Sequence, residues 1–508
     1  MHCRKPRRRI PHPIVYAAGA TCAALWPAFA LAQSDPVTTT VAAATPIFWY
    51  ILAAALALLV PAGLILIGVS GLPGQQAWDS ALGALGAVGV VAAVYWMIGF
   101  ALQFGGIGLV YPQPGLRALV WEWSPLSADW GMGWGMAGLS GWMLSGAGVT
   151  ALTYGLFLSH LPWVMTATAL VVLALRGRAP ALVTLLIAAV VGGIVYPLAG
   201  NWVQGGGWLS ALGRNLNLGH GFVDFGGAGT VFLVAAGFAL AALVVWRPPA
   251  TGPRHDPPAV QLPLLAVVGA LVMLAGGAGW LWSNPLQVSV LTDVALLRGS
   301  LNVVLSAAAG SLIPLVYTWF VRGTSHPTLS ARGLVAGLIA GMALGPFVQP
   351  GTAFLTGILA GLTVPFVTYI VDTRLGLHDA TGILSAAGLP AILGLLMVGL
   401  LADGVAGLGW QMTGLESHLG VTGQGVSGLF VAQGFAVDFP GQFQAQLIGV
   451  VALGLWGLLT GLAVCVPLGL ITHNLERSAN RRARRREEEM VAPGNLAVPL
   501  AEAERSLD

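Results

Sequence analysis

Residues 196–237 read YPLAGNWVQGGGWLSALGRNLNLGHGFVDFGGAGTVFLVAAG: two apolar runs joined by a glycine- and asparagine-rich connection that holds one arginine, Arg214, and one carboxylate, Asp224. Followed outward, the first run extends from Ala181 to Gly200 and the second from Phe222 to Trp246. A hydrocarbon layer about 30 Å thick needs roughly 20 apolar residues per helix, so each run is long enough to cross it. The rest of the chain repeats the pattern. Of 508 residues, 56% are hydrophobic, 8% are charged and 71 are glycine, and the mean hydropathy is +0.82. A soluble domain carries about 25% charged residues. So few charges cannot cover a water-facing surface, which excludes a soluble enzyme, a nucleic-acid binder and a disordered scaffold. The glycine content suits helices that approach one another closely in lipid.

By the same measure the chain holds eleven spans. They run Phe48 to Ser70, Leu82 to Phe104, Ala151 to Leu175, Ala181 to Gly200, Phe222 to Trp246, Leu262 to Leu281, Leu301 to Val321, a short Gly333 to Val348, Thr352 to Val371, Thr381 to Ala402 and Phe443 to Ile471. Ahead of them, five basic residues in the first nine positions precede an apolar stretch, Ile14 to Leu31, that ends in small residues. This is the layout of a secretory signal peptide over residues 1–32, with an uncleaved helix as the alternative. Cleavage would change the formal charge from +3 to −2 and leave Cys465 as the sole cysteine, so no disulfide or thiolate metal site would form within one chain. A transmembrane domain over 45–475 and a mixed-charge cytoplasmic tail over 476–508, containing RRARRREEE, complete the organisation.

Arginine placement sets the expected orientation, because cytoplasmic loops retain basic residues. With the amino end outside, the inner loops hold Arg176, Arg178, Arg247, Arg254, Arg322, Arg332 and Arg374, whereas the outer ones hold Arg117, Arg214 and Arg298. The carboxyl end is then cytoplasmic and the location is the plasma (inner) membrane. Two outer segments exceed simple turns. Residues 105–150 contain Trp121, Trp123, Trp130, Trp134 and Trp142, which suits an aromatic belt at headgroup level or a lid; residues 403–442 are glycine-rich and contain His418 and Asp438.

Ionisable groups inside a membrane are functional candidates. The sequence offers two near span ends, Asp224 and His160; the other histidines fall in loops, the tail or the signal segment. It has no HExxH, no paired CxxC and no P-loop lysine, the only lysine being Lys5. No enzymatic activity, metal or cofactor is expected.

Residues 196–237, with the later stretches GLVAGLIAGMALGPFVQP and HDATGILSAAGLPAILGLLMVGLLA, resemble the ammonium transporter, methylammonium permease and Rhesus family; WYILAAALALLVPAGLILIG, GWLWSNP and LNVVLSAAAG add to the likeness. The resemblance covers most of residues 45–475. It implies an all-α, eleven-helix bundle of two inverted five-helix repeats around a narrow pore, plus a final helix, assembled as a homotrimer. Transport sites in such folds lie at the repeat interface.

The family's positions carry over as follows. Asp224 matches an aspartate that shapes a cation-recruiting vestibule; it would serve equally as an N-cap. Trp163 matches an aromatic gate, or is packing. Gln204 stands where the vestibule tryptophan would be, removing a cation–π face but leaving an amide oxygen to accept. Ser283 stands at the second gate aromatic, Asn284 is kept, and Gln287 occupies the place of a vestibule serine. Phe232 and Ala387 replace the paired mid-pore histidines, and neither a phenyl nor a methyl group relays protons. His160, three residues before Trp163, would supply a polar group near the pore mouth or be a vestibule or lipid-interface histidine without a role.

Two functions follow from the resemblance. One is a channel or transporter passing ammonia, ammonium or another small neutral solute passively with altered pore chemistry. The other is a non-conducting relative acting as sensor, scaffold or subunit beside an intact transporter. The lipid bilayer and a PII-type signalling protein at the cytoplasmic face are the implied partners.

Overall fold

The computed structural model describes residues 47–491 except 71, 73, 132, 147–148, 248–261 and 380. The expected signal segment 1–32 and residues 492–508 of the expected tail lie outside the described residues. Among the described residues, eleven helices are long and apolar enough to cross a membrane: Phe48–Val69, Gln76–Val110, Ala151–Ala174, Ala181–Val203, Ala228–Val245, Pro263–Trp282, Asp293–Arg322, Pro327–Phe347, Pro350–Arg374, Leu384–Leu401 and Gly441–Ala483. They are called spans 1 to 11 in that order.

Where these bounds depart from the apolar runs, capping explains the shift. Span 5 starts at Ala228, six residues later than the run, because the Asp224 carboxylate accepts hydrogen bonds from the backbone N–H groups of Gly229 (3.1 Å) and Thr230 (2.9 Å). Span 10 starts at Leu384 because Asp379 accepts from the N–H groups of Gly382 (3.0 Å) and Leu384 (2.8 Å). Both carboxylates satisfy donors that a helix start leaves unpaired. Span 7 begins early, at Asp293, where the Thr292 hydroxyl accepts from Ala295 N–H. Span 8 is not short: His326 caps it and Pro327 opens it, so it has two further turns whose polar residues hid them from a hydropathy count. The last helix runs unbroken from Gly441 to Val491, well past the end of its apolar run and through the first half of the expected tail.

Two five-span halves share one packing scheme. Span 2 packs on spans 3 and 4, and span 3 on spans 1 and 5; likewise span 7 packs on spans 8 and 9, and span 8 on spans 6 and 10. The halves meet through span 1 against span 6 and span 5 against span 10, and span 11 lies along spans 5 and 10. The same correspondence appears in detail. Each capping carboxylate is followed by a wide π-helical turn, Ala228–Leu233 and Leu384–Gly388. Phe232 and Ala387 each lie eight residues after their own aspartate.

Glycine permits the closest contacts. A Cβ at Gly337 would stand 2.1 Å from the Ser306 carbonyl oxygen, and one at Gly361 would stand 2.4 Å from that of Gly310. At one end, the tryptophan-bearing segment and the 403–442 segment fold over the spans, each with a short hairpin: Glu122–Trp123 pairs with Ala137–Gly138, and Ser417–His418 with Val421–Thr422. The Tyr111 hydroxyl donates to Gln411 Oε1 across the two (3.0 Å). This is the loop-rich end; the opposite end carries Arg176, Arg178 and Arg332.

Candidate functional site

At the loop-rich end a recess of about 330 Å³ is lined by Tyr111, Gln204, Asn284, Leu286, Gln287, Val290, Trp410 and Gln411. Two residues at expected vestibule positions, Gln204 and Gln287, thus line one recess, together with the kept Asn284. Gln204 Nε2 donates to the Thr230 hydroxyl oxygen (3.2 Å), and that hydroxyl donates to Asp224 Oδ2 (3.1 Å). The amide is therefore oriented, and its Oε1 is buried without a hydrogen-bond partner. Asn284 Oδ1 accepts from Leu286 N–H and starts a short helix. Gln411 adopts a left-handed φ of 52° and is anchored by Nε2 to the Val203 carbonyl (3.2 Å).

Asp224 is 1% exposed and lines neither this recess nor the one described below. It acts on the recess through Thr230. Burial pushes its carboxyl above the usual value, opposed by the hydrogen bonds from Thr230 and Gly229.

A second recess, of about 430 Å³, opens at the arginine end and shares no lining residue with the first. Phe232 and Ala387 both line it, beside Leu170, Ile339, Thr381 and Arg332. Its wall is otherwise apolar. Asp379, which caps span 10, also accepts the Thr381 hydroxyl (2.9 Å), and its own N–H donates to Asp372 (2.8 Å). Arg178 donates to the carbonyls of Leu377 and His378, and burial lowers its pKa. Burial, then neighbouring Arg332, pulls the Arg176 guanidinium down to about 10.

Aromatic side chains pack behind Phe232, which lines the second recess, while Trp163 and Trp280 line neither. Trp163 stacks on Trp280 with ring centroids 5.1 Å apart and planes 7° from parallel, and Phe232 lies 6.1 Å from Trp280. Trp280 is fixed by its indole N–H, which donates to the Gly226 carbonyl (2.9 Å). The expected gate thus has Trp163 facing residue 280 rather than residue 283. Ser283 is buried, its hydroxyl donating to the Trp280 carbonyl, and it lines neither recess.

His160 does not face lipid, which corrects the lipid-interface expectation, and it lines neither recess. It is fully buried, 4.8 Å from Phe104 and 4.9 Å from Trp163. Its Nδ1 lies 2.8 Å from the Ser159 hydroxyl and 3.1 Å from the Leu156 carbonyl oxygen, and its Nε2 has no partner. Helix 151–174 places residues 160 and 163 on one inward face, which spacing shows but hydropathy does not.

Sequence reasoning missed Tyr111, Trp280, Trp410 and Gln411. Trp410 matters most, because it lines the recess with a buried, unpartnered indole Nε1 and comes from a segment far from position 204 in sequence. Elsewhere at this end, burial pushes the Glu122 carboxyl up to about 7 against the pull of Arg214, and burial with neighbouring His418 pulls the His220 imidazole down to about 3.

The family model described as Ammonium Transporter Family matches residues 48–484. Among curated relatives, ammonium transporter Amt2 of Archaeoglobus fulgidus is 28% identical over 427 residues, covering 82% of this chain and 81% of its own. Ammonium transporter Rh type B of Bos taurus is 28% identical over 234 residues, 42% of this chain and 50% of its own. Two solved structures share the fold. A protein titled Sensor Amt Protein gives a TM-score of 0.64 at 19% identity over 83% of this chain and 92% of its own; Candida albicans Mep2 gives 0.62 at 19% identity over 83% of each. With eleven spans in two matching halves and a family match over nearly all of them, this chain belongs to the ammonium transporter family, a family of membrane transporters.

Proposed function

We propose that the chain takes up ammonium in the amide-lined recess and releases neutral ammonia through the aromatic constriction, by passive movement toward the arginine end. The observation that carries this reading is the buried, unpartnered Gln204 Oε1 beside the Trp410 indole. An N–H donor cation fits both, one by hydrogen bonding and one by cation–π attraction. Beyond the recess, Trp163, Trp280 and Phe232 offer an ion little to replace its water. Desolvating it there would cost several kcal/mol or more, which favours the neutral form. Phe232 and Ala387 supply no imidazole for a proton to follow, so the proton stays on the loop-rich side.

A second reading, a non-conducting sensor or scaffold, is favoured by the Trp163–Trp280 stack and by recesses that share no lining residue. Ammonia uptake into proteoliposomes, followed with an internal pH dye, separates the two. Uptake above that of empty vesicles is expected, reduced about fivefold or more in Gln204→Leu, a loss of roughly 1 kcal/mol. Uptake equal to that of empty vesicles would leave the sensor reading.

The proposed setting is the plasma (inner) membrane, with the loop-rich end outside and the carboxyl end cytoplasmic, as the arginine distribution supports. The proposed assembly is a homotrimer, and a PII-type protein is the proposed cytoplasmic partner. Both rest on the family resemblance. Mass measurement in detergent and a pull-down on the inner loops and carboxyl helix test them.

A further inference from the structure

Three groups that the passage does not use converge at the loop-rich end. His220 lies in the connection ahead of span 5, His418 on the 417–422 hairpin, and Asp438 just before span 11. His418 Nε2 and Asp438 Oδ2 are 2.7 Å apart. The His220 and His418 rings are 4.2 Å apart, tilted by 49°. One ligand atom from each residue falls within 4.8 Å of the other two.

His220 is fully buried, and neither of its ring nitrogens has a hydrogen-bond partner. Buried polar atoms are nearly always satisfied, so this ring needs an account. Its backbone is held firmly, with its N–H donating to Gln442 Oε1 (2.8 Å), so the ring's placement is built in. The backbone at Gly414 passes close to both histidines: a Cβ there would stand 3.1 Å from His418 Cβ and 3.5 Å from His220 Nε2. Two imidazole nitrogens and one carboxylate oxygen make a three-ligand set with a further position open to water. The nitrogen content disfavours magnesium and calcium, which take oxygen ligands, and suits zinc or a similar borderline ion.

We propose that His220, His418 and Asp438 bind a divalent transition-metal ion of the zinc class. Tetrahedral ligands about 2.0–2.1 Å from an ion stand about 3.3 Å from one another, so His418 and Asp438, now 2.7 Å apart, part slightly to admit the ion while the His220 ring closes on it. The ion displaces the proton shared by His418 and Asp438 to solvent. It fastens the 403–442 segment to the connection ahead of span 5. Because that segment also carries Trp410 and Gln411, the ion would steady one wall of the amide-lined recess.

The test uses the full-length protein in detergent, free of any polyhistidine tag, dialysed against a chelator and titrated calorimetrically with Zn²⁺ alone. One equivalent per chain is expected. His418→Ala and Asp438→Asn should each weaken binding about tenfold or more, Asp438→Asn being the shape-preserving variant should His418→Ala fold poorly. His378→Ala and His473→Ala should leave the titration unchanged. Mg²⁺ should give no heat of binding. No stoichiometric Zn²⁺ uptake, uptake abolished by His378→Ala or His473→Ala while His418→Ala retains it, or equal binding of Mg²⁺ would overturn the assignment.

Discussion

The turns at residues 224–232 and 379–387, at opposite ends of the bundle, are built alike and surrounded differently. In each, a buried carboxylate gathers the N–H groups of a helix start and a wide turn follows, with the position eight residues on as its next-to-last residue. Asp224 sits among neutral groups, with Thr230 linking it to Gln204. Asp379 sits among guanidinium groups, those of Arg178 and Arg332 feeling its charge. The difference teaches that the bend belongs to the backbone and its cap. The same bend carries a phenyl group at Phe232 and a methyl group at Ala387. The neighbours of the cap set the electrostatic character of each end.

The strongest way to break the contrast is to join the two ends. Trp280→Ala removes the indole that stacks on Trp163 and neighbours Phe232; a loss of about 3–5 kcal/mol is expected from the cavity and the lost packing. A lower Tm in detergent together with faster ammonia entry into proteoliposomes is the expected pair of readings. Unchanged entry would mean that the barrier lies elsewhere. Next come the caps. Asp379→Asn removes the charge facing Arg178 and Arg332 and should cost about 3 kcal/mol, whereas Asp224→Asn keeps an acceptor in neutral surroundings and should cost about 1 kcal/mol. Equal Tm losses would erase the distinction drawn between the two turns.

The smallest effect concerns pH at the loop-rich end. With Glu122 raised to about 7 in the folded protein, its neutral form is the favoured one there. The stability this gives is complete below the ordinary carboxyl value of about 4.5 and is lost as pH rises through 7. Glu122→Gln should therefore match the parent near pH 5 and exceed it slightly at pH 8, by less than about 1 kcal/mol given the partial exposure. A Tm difference that ignores pH would remove this titrating group from the contrast.

Hydropathy made the number and order of spans legible, because lipid admits little else. It misjudged their starts wherever a polar cap, such as Asp224, Asp379 or His326, sets the first turn. That Gln204 and Gln287 share a recess agrees with the vestibule positions the family's motifs gave them; that Asn284 joins them was not read from the sequence. Trp280 lay within the quoted GWLWSNP, but residues three apart share a helix face, so the indole that pairs with Trp163 stood one turn before Ser283. Trp410 and Gln411 were not legible. Gln411 reaches a carbonyl 208 residues earlier, a proximity made only by tertiary folding. His160 was misplaced because apolar surroundings look the same in sequence whether they are lipid or packed aromatic rings.

The final helix carries one more consequence. At 51 residues it is about 77 Å long, while the hydrocarbon layer takes up only about 30 Å. Past Ile471, where its apolar run ends, the same helix continues for 20 residues, about 30 Å. Acting as a lever, that part would turn a tilt of about 10° within the lipid into a sideways sweep of about 5 Å at its tip. That sweep is large enough for a soluble protein to register without touching the passage at all.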